Sequence, residues 1–146
     1  MKRIGKRNLY LWFPLCIDKM IWGCHSDPTM YFTGCMDVTQ LAARVLLRLG
    51  YGPRIMQGKA LSKEGRPVGH VWIEIPEVGL RVETNPSQIL GMPRIWVWVT
   101  DQEENADLYD PEGENPELLE RVTPEGERFF GSLVNKVLAC IRKKVS

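Results

Sequence analysis

One stretch decides the fold: residues 69–75 read Gly-His-Val-Trp-Ile-Glu-Ile, in which Val71, Ile73 and Ile75 alternate with His70, Trp72 and Glu74. This alternation predicts a half-buried β-strand. Upstream, residues 35–49 carry polar side chains at spacings of three and four, which predicts a largely buried helix beginning at Cys35. Downstream, residues 80–84 predict a strand returning from a turn at 76–79.

These three segments bring together residue types that can do chemistry. A cysteine at a helix start, a histidine on a strand and a carboxylate or amide on the next strand can form a thiol nucleophile with its base and orienting group. An ordinary cysteine thiol has a pKa near ~8.5, and both a helix N-terminus and a neighbouring imidazolium lower it. Cys35 has the first by position, with Thr33 as the predicted N-cap, and gains the second if His70 is close. The ordinary alternatives are a small buried cysteine and a structural strand histidine.

The hairpin predicts the partner of His70. Its odd residue separation places Glu83 or Asn85 on the same side of the sheet as the imidazole, and either can fix the tautomer. The alternative is that Glu83 has only a structural role, as a cross-strand negative charge near Arg81 or Arg94. The length of 146 residues indicates one domain, residues 1–146, and shares of 44% hydrophobic and 25% charged residues are those of an ordinary soluble globular protein.

Charge and cysteine usage narrow the class of protein further. The net charge of +1 gives no reason to expect a nucleic-acid or membrane partner. The four cysteines have irregular spacing, which favours reduced thiols and a cytoplasmic protein: Cys16, Cys24, Cys35 and Cys140. Residues 1–17 have the basic start and apolar run of a signal peptide. The run is short, contains Pro14 and has no small-residue cleavage site, so we expect it to be part of the fold.

The remaining segments complete an α+β prediction with an antiparallel sheet of about four strands. The apolar run 9–17 predicts a strand or a short buried helix, and 23–33 a loop. Strands are expected at 54–61 and 95–100, in addition to the hairpin. Residues 101–120 contain nine acids and no base, which predicts an acidic loop with a short helix near 116–121. A final amphipathic helix is expected at 123–144.

The order of these motifs resembles the transglutaminase-like branch of the papain-fold cysteine enzymes. The resemblance covers residues 31–90 and rests on Cys35 at its helix start, on Leu-Arg-Leu-Gly-Tyr-Gly-Pro-Arg at 47–54, and on His-x-Trp-x-Glu at 70–74. The third member in that family is normally Asp. Here Glu83 aligns with its Asp-x-Thr pattern and Asn85 with its Asp-Pro-Thr pattern, and Met36 replaces the aromatic residue usual after the cysteine.

The resemblance implies a papain-like fold and acyl transfer from an amide through a thioester on Cys35. His70 would act as the base, and Glu83 is our choice for the third catalytic member. No cofactor or metal is implied. Water as the acceptor makes the protein a cysteine peptidase or amidase acting on a peptide or protein, which is our expectation. An amine as the acceptor makes it a transglutaminase, and glutamine deamidation is a further possibility of the same chemistry.

Two rivals come from other classes of protein. One is a catalytically silent module that binds a peptide in the same cleft; the presence of both Cys35 and His70 weighs against it. The other is a zinc protein that uses Cys24, His25 and Cys35. No Cys-x-x-Cys or His-x-x-x-His pair accompanies these three residues, so the zinc site is the weaker expectation.

Overall fold

The computed structural model describes residues 4–26, 35–117 and 124–146. In these ranges the chain is α+β, with three α-helices and a five-stranded antiparallel sheet. The helices are α1 (Lys6–Ser26), α2 (Cys35–Arg48) and α3 (Pro124–Val145). The strands are β1 (Arg54–Leu61), β2 (Pro67–Ile75), β3 (Leu80–Glu83), β4 (Trp98–Asp101) and β5 (Tyr109–Glu114).

The sheet order is β4-β3-β2-β1-β5, so β4 and β5 are the edges and β2 is central. β1 and β2 pair along their whole length, from Arg54 opposite Glu74 to Leu61 opposite Pro67. β3 pairs with β2 only where Leu80 to Val82 face residues 73–75. Within the described ranges, the first half of β2 therefore has no strand beside it on the β3 side, and this open half contains His70.

Helix α2 forms and ends as its sequence predicts. Its apolar side chains are fully buried: Val38, Leu41, Ala42, Ala43, Val45 and Leu46. Gly50 follows the helix with a φ of 89°, a left-handed conformation that suits glycine. The N–H of Tyr51 donates to the Leu46 carbonyl and that of Gly50 to the Leu47 carbonyl, each at 3.0 Å, which is the Schellman pattern of helix termination.

The two faces of the sheet have different neighbours. On one face, Ile73, Ile75 and Val82 join the main core with the helices. On the other face lies a smaller cluster around Trp72 and Tyr109. Its other buried members are Met56, Ala60, Ile89 and Met92. His70 shares the strand parity of Trp72 and therefore belongs to this second face.

Helix α1 corrects the expectation for the first part of the chain. The run 9–17 is neither a strand nor a short helix but part of a 21-residue helix. Leu9, Phe13, Ile17 and Ile21 recur every four residues and are fully buried. The helix is apolar on most sides and contains Pro14, which hid its period. The loop expected at 23–33 is wrong for 23–26, which are helical, and otherwise lies outside the described residues. No helix in the described ranges is long and apolar enough to span a bilayer.

Strand β5 corrects the expectation of a four-stranded sheet and an acidic loop at 101–120. Residues 109–114 read Tyr-Asp-Pro-Glu-Gly-Glu and form the strand next to β1. They lack apolar alternation because β5 is an edge strand whose residues, apart from Tyr109 and Gly113, are exposed. Edge strands also tolerate proline, here Pro111. The short helix expected near 116–121 falls mostly outside the described residues.

Gly58 allows β5 to approach β1, and this gives a first prediction. It lies opposite His70 in one direction and Pro111 in the other. A Cβ atom at Gly58 would stand 2.3 Å from the carbonyl oxygen of Asp110. Gly58→Ala should therefore lower the free energy of unfolding by about 2 kcal/mol or more, measured by urea denaturation. Gly69→Ala is the matched control, because a Cβ there meets nothing within 4 Å. Equal stability of the two variants would contradict the close approach.

Candidate active site

The imidazole of His70 and the carboxylate of Glu83 are in direct contact. Nε2 of His70 lies 2.7 Å from Oε1 and 2.9 Å from Oε2 of Glu83. The two side chains are 4% and 2% exposed, so the pair is shielded from water. A carboxylate in this position accepts a hydrogen bond from the Nε2–H and thereby keeps the proton on Nε2. Nδ1 is then the ring nitrogen left to exchange a proton with another group.

The register of the hairpin decides between the two expected partners of His70. Continuing the β2–β3 pairing past Ile73 and Val82 would put Asn85 opposite His70, with Glu83 on the diagonal. The diagonal residue nevertheless makes the contact, because the long glutamate side chain reaches the imidazole. Asn85 serves Glu83 instead: its backbone N–H donates to Oε2 at 2.7 Å, and its side chain accepts from Ser87.

Arg81 is not the partner of Glu83 that the structural alternative proposed. It is buried, at 4% exposure, and its guanidinium donates to the carbonyl oxygens of Gln102 at 2.7 Å and Glu104 at 3.0 Å. The central carbon of the guanidinium, Cζ, lies 4.2 Å from the centre of the Tyr109 ring. Arg81 therefore secures the segment after β4 and one face of the tyrosine, while the Glu83 carboxylate stays with His70.

Tyr109 is a member of the site that sequence reasoning missed. Its hydroxyl donates to Oε1 of Glu83 at 2.8 Å, the same oxygen that lies nearest Nε2 of His70. Burial, followed by the negative charge of Glu83, raises the pKa of Tyr109, so that the hydroxyl keeps its proton. The available signal was that Tyr109 is the single aromatic residue between 101 and 120, next to Leu108 in an otherwise acidic stretch.

Aromatic rings form one wall of the site. Trp72 is fully buried and its ring is nearly parallel to that of His70, with centroids 6.2 Å apart. Tyr109 packs against Trp72 at 5.0 Å. The indole N–H of Trp72 donates to Glu74 at 3.3 Å, so its polar atom has a partner. These contacts restrict the orientation of the imidazole.

Cys35 is the first residue of α2, as predicted, but its side chain lies outside the described residues. A contact of Thr39 locates the first part of α2 relative to the sheet: the Thr39 hydroxyl oxygen lies 2.6 Å from that of Thr84. Thr84 directly follows Glu83. Residues four apart share a face of a helix and are separated by a rise of roughly 6 Å along its axis. Cys35 therefore begins the helix one turn before a direct contact with the strand end that carries Glu83.

The zinc alternative involves residues that the structure does not describe in full. The side chains of Cys24, His25 and Cys35 all lie outside the described set. Among the side chains that are described, no group of three His, Cys, Asp or Glu residues is arranged to hold a metal ion. The zinc hypothesis therefore stays a sequence-based alternative, which metal analysis of the purified protein would decide.

The contacts among four side chains are the main guide to function. His70, Glu83, Tyr109 and Trp72 form one buried polar and aromatic cluster beside an open strand edge. Comparison of the chain with protein-family models, with curated proteins and with solved structures finds no match.

Proposed function

We propose that this protein is a thiol-dependent acyl-transfer hydrolase, a cysteine peptidase or amidase, built on a papain-like core of the transglutaminase type. Cys35 is the nucleophile, His70 the general base and acid, and Glu83 the group that orients His70. The substrate is a peptide or protein amide. A thiol nucleophile must be reduced to act, which suits a reducing compartment such as the cytoplasm.

The observation that carries this proposal is the buried contact between Nε2 of His70 and the carboxylate of Glu83. Burial alone requires only that the Nε2–H have some hydrogen-bond acceptor, whereas a carboxylate there also stabilises the imidazolium that forms when Nδ1 takes a proton. A histidine that must accept a proton from a thiol needs Nδ1 unprotonated, and this is the tautomer that Glu83 favours.

The path from Cys35 to His70 runs through the open half of β2. Helix α2 packs on the main-core face of the sheet, whereas His70 lies on the other face. Because β3 no longer pairs with β2 at the level of His70, no strand formed by the described residues lies beside β2 there. The contact between Thr39 and Thr84 puts the first part of α2 at this opening. The proposal requires the Cys35 sulfur, one turn earlier, to reach Nδ1 across this gap.

The reaction begins with proton transfer from the Cys35 thiol to Nδ1 of His70, which gives a thiolate and an imidazolium. The sulfur attacks the amide carbonyl carbon, and the negative charge moves to the carbonyl oxygen. Backbone N–H groups of the first turn of α2 are suitable donors to this oxyanion. When the C–N bond breaks, His70 returns the proton to the leaving amine, and the acyl group stays on Cys35 as a thioester.

Water completes the cycle. His70 is neutral again after the amine leaves and accepts a proton from water, whose oxygen attacks the thioester carbonyl. Collapse of this second tetrahedral species releases the carboxylic acid and restores the thiol. Glu83 keeps the same ring orientation through both steps and stabilises the imidazolium each time it forms.

Selective alkylation of Cys35 tests the proposal without knowledge of the substrate. With sub-stoichiometric iodoacetamide at about pH 6, the peptide that contains Cys35 should be labelled at least about ten-fold faster than the others, because only an activated thiol is largely ionised there. Cys16 is an internal control: burial, followed by its hydrogen bond with Cys140, raises the pKa of its thiol to about 12. Mass spectrometry of the digested protein measures the order of labelling.

His70→Ala should remove most of the preference for Cys35 and leave the labelling of Cys24 unchanged. First labelling of Cys24 or Cys140 in the native protein, with Cys35 inert, would overturn the proposal. A reactive Cys35 that forms no adduct with any member of a peptide library would instead support the silent binding module. An adduct resolved by added amine, but not by water, would make the protein a transglutaminase.

A further inference from the structure

The Glu83 carboxylate is held by more than its contact with His70. Each oxygen has a second donor: the Tyr109 hydroxyl reaches Oε1 at 2.8 Å, and the backbone N–H of Asn85 reaches Oε2 at 2.7 Å. The donors come from different parts of the chain. Asn85 directly follows the strand that carries Glu83, whereas Tyr109 is 26 residues away and arrives on β5.

A carboxylate with one donor on each oxygen cannot turn about its terminal bond without losing a hydrogen bond. Both oxygens of Glu83 then stay directed at Nε2 of His70, at 2.7 and 2.9 Å. Hydrogen bonds to an ionised group are shorter and stronger than neutral ones, and this group is shielded from water. Loss of either donor would free the carboxylate to rotate and would leave a buried charge short of partners.

We infer that, for the reaction proposed above, on which this role rests, Tyr109 is a positioning residue that holds the Glu83 carboxylate on the imidazole of His70. It acts through Glu83 and does not touch the reacting atoms. Its ring packs on Trp72 at 5.0 Å, so the hydroxyl is aimed by a rigid neighbour.

Arg81 extends this arrangement to the acidic segment. Its guanidinium lies over the Tyr109 ring and also binds the backbone carbonyls of Gln102 and Glu104, in the connection between β4 and β5. The segment that precedes Tyr109 is thus tied to β3, the strand that carries Glu83. The acidic stretch therefore contributes one buried tyrosine to the site, while the acidic residues of its described part, 101–117, are exposed.

Imidazole NMR of the ¹⁵N-labelled full chain tests this role, because the protein contains only two histidines. A His25→Gln variant identifies the signals of His70. In the wild type, the ¹⁵N signals should show a proton on Nε2 that exchanges slowly with water. Tyr109→Phe should speed that exchange about ten-fold or more, since one hydrogen bond to a charged group is lost.

Tyr51→Phe is the matched control. Tyr51 is also a buried tyrosine whose hydroxyl donates a hydrogen bond, to the carbonyl of Ile4, away from the site. This variant should leave the exchange of the His70 proton unchanged. Unchanged exchange in Tyr109→Phe, or an equal acceleration in Tyr51→Phe, would overturn the role of Tyr109.

Two further measurements keep the result interpretable. If Tyr109→Phe does not fold, a nuclear Overhauser effect between the Tyr109 hydroxyl proton and the Nε2 proton of His70 tests the arrangement in the wild type, and its absence counts against it. The alkylation of Cys35 reports on the reaction separately. An inert Cys35 with a normal response of His70 to Tyr109→Phe rejects the proposed function but not the positioning. A reactive Cys35 without that response rejects only the positioning.

Discussion

Glu83→Gln is expected to lower kcat by between about ten-fold and several thousand-fold while the protein stays folded. The substrate for this measurement is a peptide that acylates Cys35 in a library screen. The loss should fall on kcat and leave KM nearly unchanged, because Glu83 orients the base and does not contact the substrate.

The physical reason lies in the three donors around this carboxylate. An amide has one acceptor oxygen and one N–H₂ group, so one side of the glutamine must present hydrogens to a donor. The backbone N–H of Asn85 cannot turn away from Oε2. The Tyr109 hydroxyl can rotate and accept, so the amide nitrogen should take the Oε1 side, which is nearest His70. The imidazole then moves its proton to Nδ1, the nitrogen that must receive the proton of Cys35.

Asn85→Ala is the control for this prediction. The contact of Asn85 with Glu83 uses its backbone N–H, which alanine retains, and only the side-chain contact with Ser87 is lost. Its kcat should stay within a few-fold of the wild type, and thermal unfolding should confirm that both variants are folded. Abolished turnover in Asn85→Ala, together with normal turnover in Glu83→Gln, would show that Asn85 and not Glu83 orients His70.

Trp72→Ala is expected to reduce the free energy of unfolding by about 3–5 kcal/mol, the largest effect on stability proposed here. The indole is fully buried and lies against the rings of both His70 and Tyr109. Truncation would remove this apolar volume and leave a cavity on the second face of the sheet. Urea denaturation of the wild type and the variant measures the difference.

Two tryptophan substitutions bracket this result. Trp72→Phe should retain most of the stability, since it keeps a large ring and loses only the hydrogen bond to Glu74. Trp98→Ala removes the same side chain from a position 36% exposed and should cost much less than Trp72→Ala. If the Trp72 and Trp98 truncations cost the same, the second cluster does not contribute a real core.

The parts of the fold that the sequence predicts are those with a local periodic signal. Helix α2 has one polar stripe and a terminating Gly50, and the sequence of the β2–β3 hairpin alternates with period two on either side of a clear turn. Helix α1 lacks a polar stripe, because apolar side chains such as Leu11, Leu15 and Trp22 remain exposed on its outer face. Strand β5 gives no pattern because its residues pair with β1 through the backbone and bury little side-chain surface.

The candidate site also has one contact that the sequence predicts and others that it does not. The contact of His70 with Glu83 follows from two strands of one hairpin, so residue spacing alone restricted the partner to two choices. Tyr109 reaches the same carboxylate only because β5 adds to the far side of β1, a pairing without a local signal. The approach of α2 to the strand end depends on a contact between residues 45 positions apart, Thr39 and Thr84, which no periodicity encodes.

The exposed edge of β5 also bears on how the protein behaves at high concentration. An unpaired strand edge is a template for adding further strands, and long apolar edges promote aggregation. Beyond Tyr109 this edge presents Asp110, Glu112 and Glu114, interrupted by Pro111, which has no N–H to donate. Two molecules that met through β5 would bring rows of carboxylates together. The strand that places a buried tyrosine beside Glu83 thus also discourages the sheet from growing into fibres.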